Sequence, residues 1–139
     1  MIEAGRKLKR CGILCSATLI SGLGGRQRLR EHAIASASLI SAIKPDYVGF
    51  LTLMIDPQAP VYSKIVSGEL ELLNPEDVVE EMKLFLQNVD SEGTVFRSNH
   101  ASNYVILKGT LNEDIPSMMA YLRQVEEQGK YREERWRRF

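Results

Sequence analysis

The chain is poor in the residues that most metal and redox chemistry needs. Its 139 residues include two cysteines and two histidines. A cubane iron–sulfur cluster takes three or four thiolates, so Cys11 and Cys15, spaced C-x3-C, lack the partner that would make them ligands. They read instead as buried structural thiols, Cys11 closing a helical stretch and Cys15 lying within an apolar strand. No further His, Cys or paired carboxylate completes a metal site or a nucleophilic triad. No metal ligand is expected in this chain, and no side chain declares itself catalytic.

Charge of one sign is also missing. Eighteen Lys and Arg balance eighteen Asp and Glu, whereas a nucleic-acid binder normally carries a clear basic excess. No run approaches the ~18 apolar residues that a membrane span requires; the longest, Val48–Ile55, has the length of a buried strand. The opening MIEAGRKLKRCG is charged where a signal peptide needs an apolar core. Nucleic acid and membrane are therefore not expected partners, and a reducing cytoplasm is the expected compartment.

What is present is an ordinary amount of apolar sequence, arranged in alternating strand-like and helix-like segments. The length suits one domain with a real core. The charges are unevenly placed: residues 1–44 carry eight basic against two acidic side chains, 45–93 two against ten, and 94–139 eight against six. A polar helix ends at Gly12, and Ile13–Ser21 follows as a buried strand of parallel type. The glycines of SGLGG break the chain, and Leu29, Ala33, Ala37 and Ile40 then recur at helical spacing until Lys44-Pro45. Tyr47–Ile55 is a second buried strand. A Pro-bounded connection follows, with room for a helical turn near Val61–Val66. Asn74-Pro75 starts a helix whose buried stripe is Val78, Met82, Phe85 and Val89. GTVF is a third, short strand, and a last helix spans about Asp114 to Gln128.

This order predicts an α/β fold with a three-stranded, mainly parallel sheet and helical crossovers. In such folds ligands sit at the carboxyl ends of the strands. Those ends carry Ser21–Gly25, Met54–Pro60 and Arg97–Tyr104, so one rim gathers all three distinctive segments. Three parallel strands also leave a long edge and a half-covered face, which predicts a homo-oligomer or another chain pairing at the edge. Residues 1–128 form the folded unit, and 129–139 form a charged tail with Trp136 and Phe139 as its anchors.

Each rim segment has a chemical reading. SGLGG lets a backbone approach a ligand closely, and the N–H groups of the next helix suit an anion or nucleotide; a structural tight turn explains the same glycines. It is not a Walker loop, and Gln27 stands at the third glycine position of a G-x-G-x-x-G fingerprint. Leu53 and Met54, at the exit of the second strand, could cover a flat ligand such as a purine. The nonapeptide FRSNHASNY concentrates polar side chains in one loop, and Arg97, Asn99, His100 and Asn103 suit a pocket for carboxylates or amides. His100 reads as a hydrogen-bonding partner rather than a catalyst.

Together EAGRKLKRCGI, ISGLGG, HAIASASLISAIKPDYVGFLTLMIDPQAPVY, ELLNPEDVVEEM and FRSNHASNYVILKGTL resemble the carboxyl-terminal part of a radical SAM protein. The branch is similar to the oxygen-independent coproporphyrinogen oxidase-like enzymes, and the likeness runs from about Glu3 to Leu122. The resemblance implies the carboxyl-terminal part of a partial (β/α)6 barrel. It further implies S-adenosylmethionine as cofactor, with a [4Fe-4S] cluster that the family holds on a CxxxCxxC loop. By resemblance, Ser21, Gly22, Leu23, Gly24 and Gly25 with Leu53 and Met54 lie against the adenosine. Arg97, Asn99, His100 and Asn103 then face the mouth through which an unspecified small-molecule substrate enters. CxxxCxxC is absent here, and Met1 falls inside what the family has as a helix. The chain is therefore expected to be a fragment, not catalytic alone. A stand-alone module for a nucleotide or S-adenosylmethionine-like ligand and a non-catalytic half barrel that oligomerises are the other expectations.

Overall fold

The computed structural model describes residues 1–138. Its helices are α1 (Ile2–Arg10), α2 (Leu29–Ile43), α3 (Tyr62–Val66), α4 (Pro75–Asn88) and α5 (Ile115–Gln128). Its strands are β1 (Ser16–Ser21), β2 (Tyr47–Thr52), β3 (Val95–Arg97) and β4 (Lys108–Thr110). The sheet order is β1-β2-β3-β4, with β1–β2 and β2–β3 parallel and β3–β4 antiparallel. The fold is thus α/β with an open, mostly parallel sheet.

Among the described residues the expected three strands become four. β4 is Lys-Gly-Thr and has no apolar run to announce it. It forms because Gly109 lets the sheet meet α5: a Cβ there would lie 2.9 Å from both the Met118 sulfur and the Asp114 Cβ. Strand ends also retreat. β1 starts at Ser16 and not at Ile13, because Gly12 takes φ +69° and Ile13 N–H bonds back to Leu8 O. Ile13 and Leu14 are left exposed, and Cys15 N–H is taken by Asp46 Oδ2 at 2.8 Å. The two cysteines are accordingly not alike: Cys15 is buried just before β1, and Cys11 is exposed.

Local chemistry explains the helix boundaries. Asn74 Oδ1 accepts from Asp77 N–H at 2.7 Å while Asp77 returns the bond to Asn74 N–H, so a full capping box starts α4 with Pro75 in its first turn. α2 ends with Lys44 in the left-handed region at φ 51° before Pro45, and α5 ends at Gly129 in the same region.

The core lies on one face of the sheet. Leu19, Val48, Phe50 and Phe96 point to that face and meet Ala37 and Ile40 of α2, Met82 and Phe85 of α4, and Met118 and Leu122 of α5. Phe50, Phe85 and Phe96 form a triangle with ring centroids 5.9 to 6.1 Å apart, a spacing at which aromatic rings attract beyond simple burial. The alternate positions, among them Thr18, Ile20, Tyr47, Gly49, Leu51 and Arg97, point the other way and are less buried than their neighbours. No helix among the described residues is long and apolar enough to cross a membrane.

The tail does not hang free. Arg132 N–H donates to Tyr104 O, and a short 3-10 turn at Glu134–Trp136 leads to Arg137, which is buried against the loop after β3. Its anchor is not Trp136, which is 56% exposed. Phe139 lies outside the described residues.

Candidate functional site

Parallel register brings the ends of β1 and β2 side by side: Ser21 pairs with Thr52, and Leu53 N–H donates to Ser21 O. Beyond them the chain turns sharply, with Gly25 N–H bonded to Gly22 O at 2.9 Å. Gly22 needs its φ of +91°, and Gly25 adopts φ 62°, ψ −180°, a region essentially closed to other residues. A Cβ on Gly25 would also lie 2.7 Å from Leu70 Cδ1 and from Gln27 Oε1. We expect Gly25→Ala to cost about 2 kcal/mol, read as a lower urea midpoint at unchanged slope.

Behind this turn stands a buried carboxylate. Glu81 of α4 is 2% exposed. Its Oε2 accepts from the Ser21 hydroxyl and from Gly22 N–H at 3.0 Å, and its Oε1 lies 2.5 Å from Nδ1 of His32 on α2. A carboxylate only accepts, so His32 Nδ1 carries the proton between them, and Nε2 lies on the far side of the ring. Leu23 and Gly24 border that side together with Arg28, which is paired with Glu31 at 2.6 Å. Thus one acid fixes the position of the glycine turn and the orientation of the neighbouring imidazole.

The polar loop divides into an outer and an inner set. Arg97, Asn99 and His100 are exposed. His100 Nδ1 accepts from Ser102 N–H at 3.2 Å and also meets Ser102 Oγ at 2.9 Å, which leaves the Nε2–H outward as a donor. Asn103 belongs to the inner set. It is 1% exposed. Its Nδ2 donates to Phe50 O at 2.7 Å and Ser98 O at 2.9 Å, and its Oδ1 accepts from Thr52 Oγ1 at 3.0 Å. The expected ligand-facing amide is therefore spent inside the protein, where it clamps the loop to the end of β2.

Between the glycine turn and the tail lies a recess of about 230 Å³, floored by Ser21, Gly22, Leu53 and Leu73 and walled by Tyr104, Glu134 and Arg137. Arg137 donates through Nε to Ser102 O at 2.7 Å, through Nη2 to Leu53 O at 3.2 Å, and through Nη1 to Tyr104 Oη and to Glu134. Its guanidinium carbon lies 4.0 Å from the Tyr104 ring centroid. Burial, and then its bond to Glu134, push the Tyr104 phenol up to about 12, against the opposing pull of Arg137. A phenol raised in the folded state contributes fully below its unfolded value near pH 10 and loses that contribution as the pH climbs toward 12. Ultraviolet titration of phenolate absorbance should show a late phase near pH 12 that Tyr104→Phe removes.

The structure thus gathers Ser21, Gly22 and Leu53 in one recess. Leu23 and Gly24 face the His32 side, and Gly25 packs under Leu70. Met54 is half-buried beyond β2, and Arg97 borders a groove between β3 and β4. The recess by the tail thus takes Ser21, Gly22 and Leu53 of the first expected set, and the groove between β3 and β4 takes Arg97 of the second. Glu81, Tyr104, Glu134 and Arg137 went unassigned from sequence. Only Glu81 left a signal, an acid three residues after Val78 on the buried stripe of α4. The chain matches no protein-family model and no curated protein.

Proposed function

We propose that this chain is the carboxyl-terminal part of a radical SAM barrel of the oxygen-independent coproporphyrinogen oxidase-like branch. In this reading Ser21–Gly25, Leu53 and Met54 form its adenosine side. Arg97, Asn99 and His100 form the mouth for a small-molecule substrate, and Asn103 holds that loop in place. One observation carries the reading: the parallel strands have their core on one face only. Parallel sheets are ordinarily covered on both faces, and doubly wound folds place helices on both. A barrel keeps its helices outside and closes the bare face on itself. The unpaired outer edge of β1 supports the same closure.

S-adenosylmethionine, reductively cleaved at a [4Fe-4S] cluster, supplies the radical in such enzymes. The residues of this chain do not fit the cluster. It has one exposed and one buried cysteine, and among the described residues no group of three or more His, Cys, Asp or Glu could hold a metal ion. They do fit a nucleoside: the glycine turn offers bare backbone beside the apolar floor of Leu53 and Leu73. What this chain contributes is positioning, not electron transfer. A cytoplasmic location goes with this reading, since a reducing compartment keeps the exposed Cys11 thiol free.

Adenosine titrated into the 15N-labelled protein tests the reading. Saturable movement of the Gly22, Gly24 and Leu53 amide signals is the expected outcome. Movement confined to other residues, or none up to the solubility limit, would count against it. The bare face and the β1 edge also support a second reading, a half barrel completed by another copy. Sedimentation decides that point: a mass rising with concentration favours assembly, and a constant monomer mass removes it.

A further inference from the structure

Arg137 and Glu134 make an unequal pair. The Arg137 side chain is 5% exposed, while that of Glu134 is 69% exposed. A buried cation needs a counter-charge close by, and among the described residues the other acceptors on Arg137 are neutral: Ser102 O, Leu53 O and Tyr104 Oη. Those three fix the guanidinium in place. Glu134 is held far less firmly, because it sits on a three-residue turn and most of its side chain faces solvent, where ion pairs are weak. Among the described residues no acceptor takes the second Nη2 hydrogen of Arg137, and the recess over Gly22, Leu53 and Leu73 opens beside it.

We infer that Arg137 is a carboxylate receptor whose seat is filled in the resting chain by the tail's own Glu134. A carboxylate-bearing ligand entering the recess replaces Glu134 on Nη1 and releases the Glu134–Trp136 turn, while the carbonyl contacts keep Arg137 in place. The planar fork of a guanidinium matches a carboxylate better than a rounder anion, and its built-in occupant is a carboxylate. Tyr104 donates to Glu134 at 2.8 Å, so the same hydroxyl is ready to donate to the incoming group. The receptor shares its recess with the adenosine reading and adds Arg137 and the tail as a wall that takes a carboxylate; its test uses no nucleoside, so either reading can fail while the other stands.

The protein carries its own reporter, since Trp136 is its single tryptophan and sits on the turn that moves. Acetate is titrated at constant ionic strength against chloride, following the Arg137 Nε–H and Trp136 indole N–H signals by NMR. Both signals should shift saturably with acetate and not with chloride. Glu134→Gln removes the competitor, so acetate should bind about 2- to 5-fold tighter, the range expected for loss of an exposed pair. Arg137→Met should abolish the response. If that variant loosens the tail, the Glu134→Gln arm decides alone. Equal or weaker acetate binding by Glu134→Gln, linear shifts shared with chloride, or phosphate binding in preference to acetate would each overturn the proposal.

Discussion

Asn103→Asp should destabilise the protein by about 4 kcal/mol at neutral pH, although it exchanges one atom for another of nearly the same size. The amide of Asn103 donates twice, to Phe50 O and Ser98 O. A carboxylate has no hydrogen to give, so two buried carbonyls would face a buried negative charge. Losing a buried hydrogen bond costs roughly 1–3 kcal/mol, and an uncompensated buried charge about 3–5 kcal/mol. Protonation relieves part of this, because a neutral carboxyl can donate to one of the two carbonyls. The introduced group therefore has a folded-state pKa above its unfolded value. Such a group binds more protons when folded, so stability falls as pH rises. Urea unfolding at pH 4.5 and pH 7.5 checks the sign. The deficit relative to the parent should be smaller at the lower pH, and a deficit independent of pH would refute the assigned contacts. The exposed Arg97, Asn99 and His100 should lose their fixed positions with it, since Asn103 ties their loop to β2.

This pair of contacts also marks what could be read from the sequence and what could not. Mostly apolar runs locate β1 and β2, and a period of 3.6 locates α2, α4 and α5, because each element buries apolar residues along its own length. The rim location of the three distinctive segments follows from chain order alone. β4 escapes because its reason to exist is Gly109 lying under Met118, a contact between segments. The role of Asn103 escapes for the same cause. Seven polar residues in one loop suggest a binding surface, but which of them face inward is decided by the carbonyls of Phe50 and Ser98. Arg137 sits in a tail whose composition promises only solvation. Its burial depends on Leu53 O, 84 residues earlier.

At Glu81 an isosteric exchange and a truncation should part company. Glu81→Ala removes the acceptor for Ser21 Oγ, for Gly22 N–H and for His32 Nδ1 at once. The site is 2% exposed, so water replaces those bonds poorly. A loss of about 3 kcal/mol is expected, in the range for stranding several buried donors. Glu81→Gln should cost only about 1 kcal/mol. The retained carbonyl oxygen can keep Gly22 N–H and the Ser21 hydroxyl, and the new NH2 group then faces His32 Nδ1. That ring nitrogen can switch from donor to acceptor by moving its proton to Nε2. The contrast with Asn103 is physical: the groups around Glu81 include two that can reverse roles, whereas the carbonyls around Asn103 cannot. Denaturation curves of both Glu81 variants test the ranking, and 15N shifts of the His32 ring test the cause. A Gln variant as unstable as the Ala variant, or a His32 tautomer unchanged by Glu81→Gln, would show that Glu81 does not orient the imidazole. If the tautomer reverses as expected, the proton borne by His32 beside the glycine turn is set from α4.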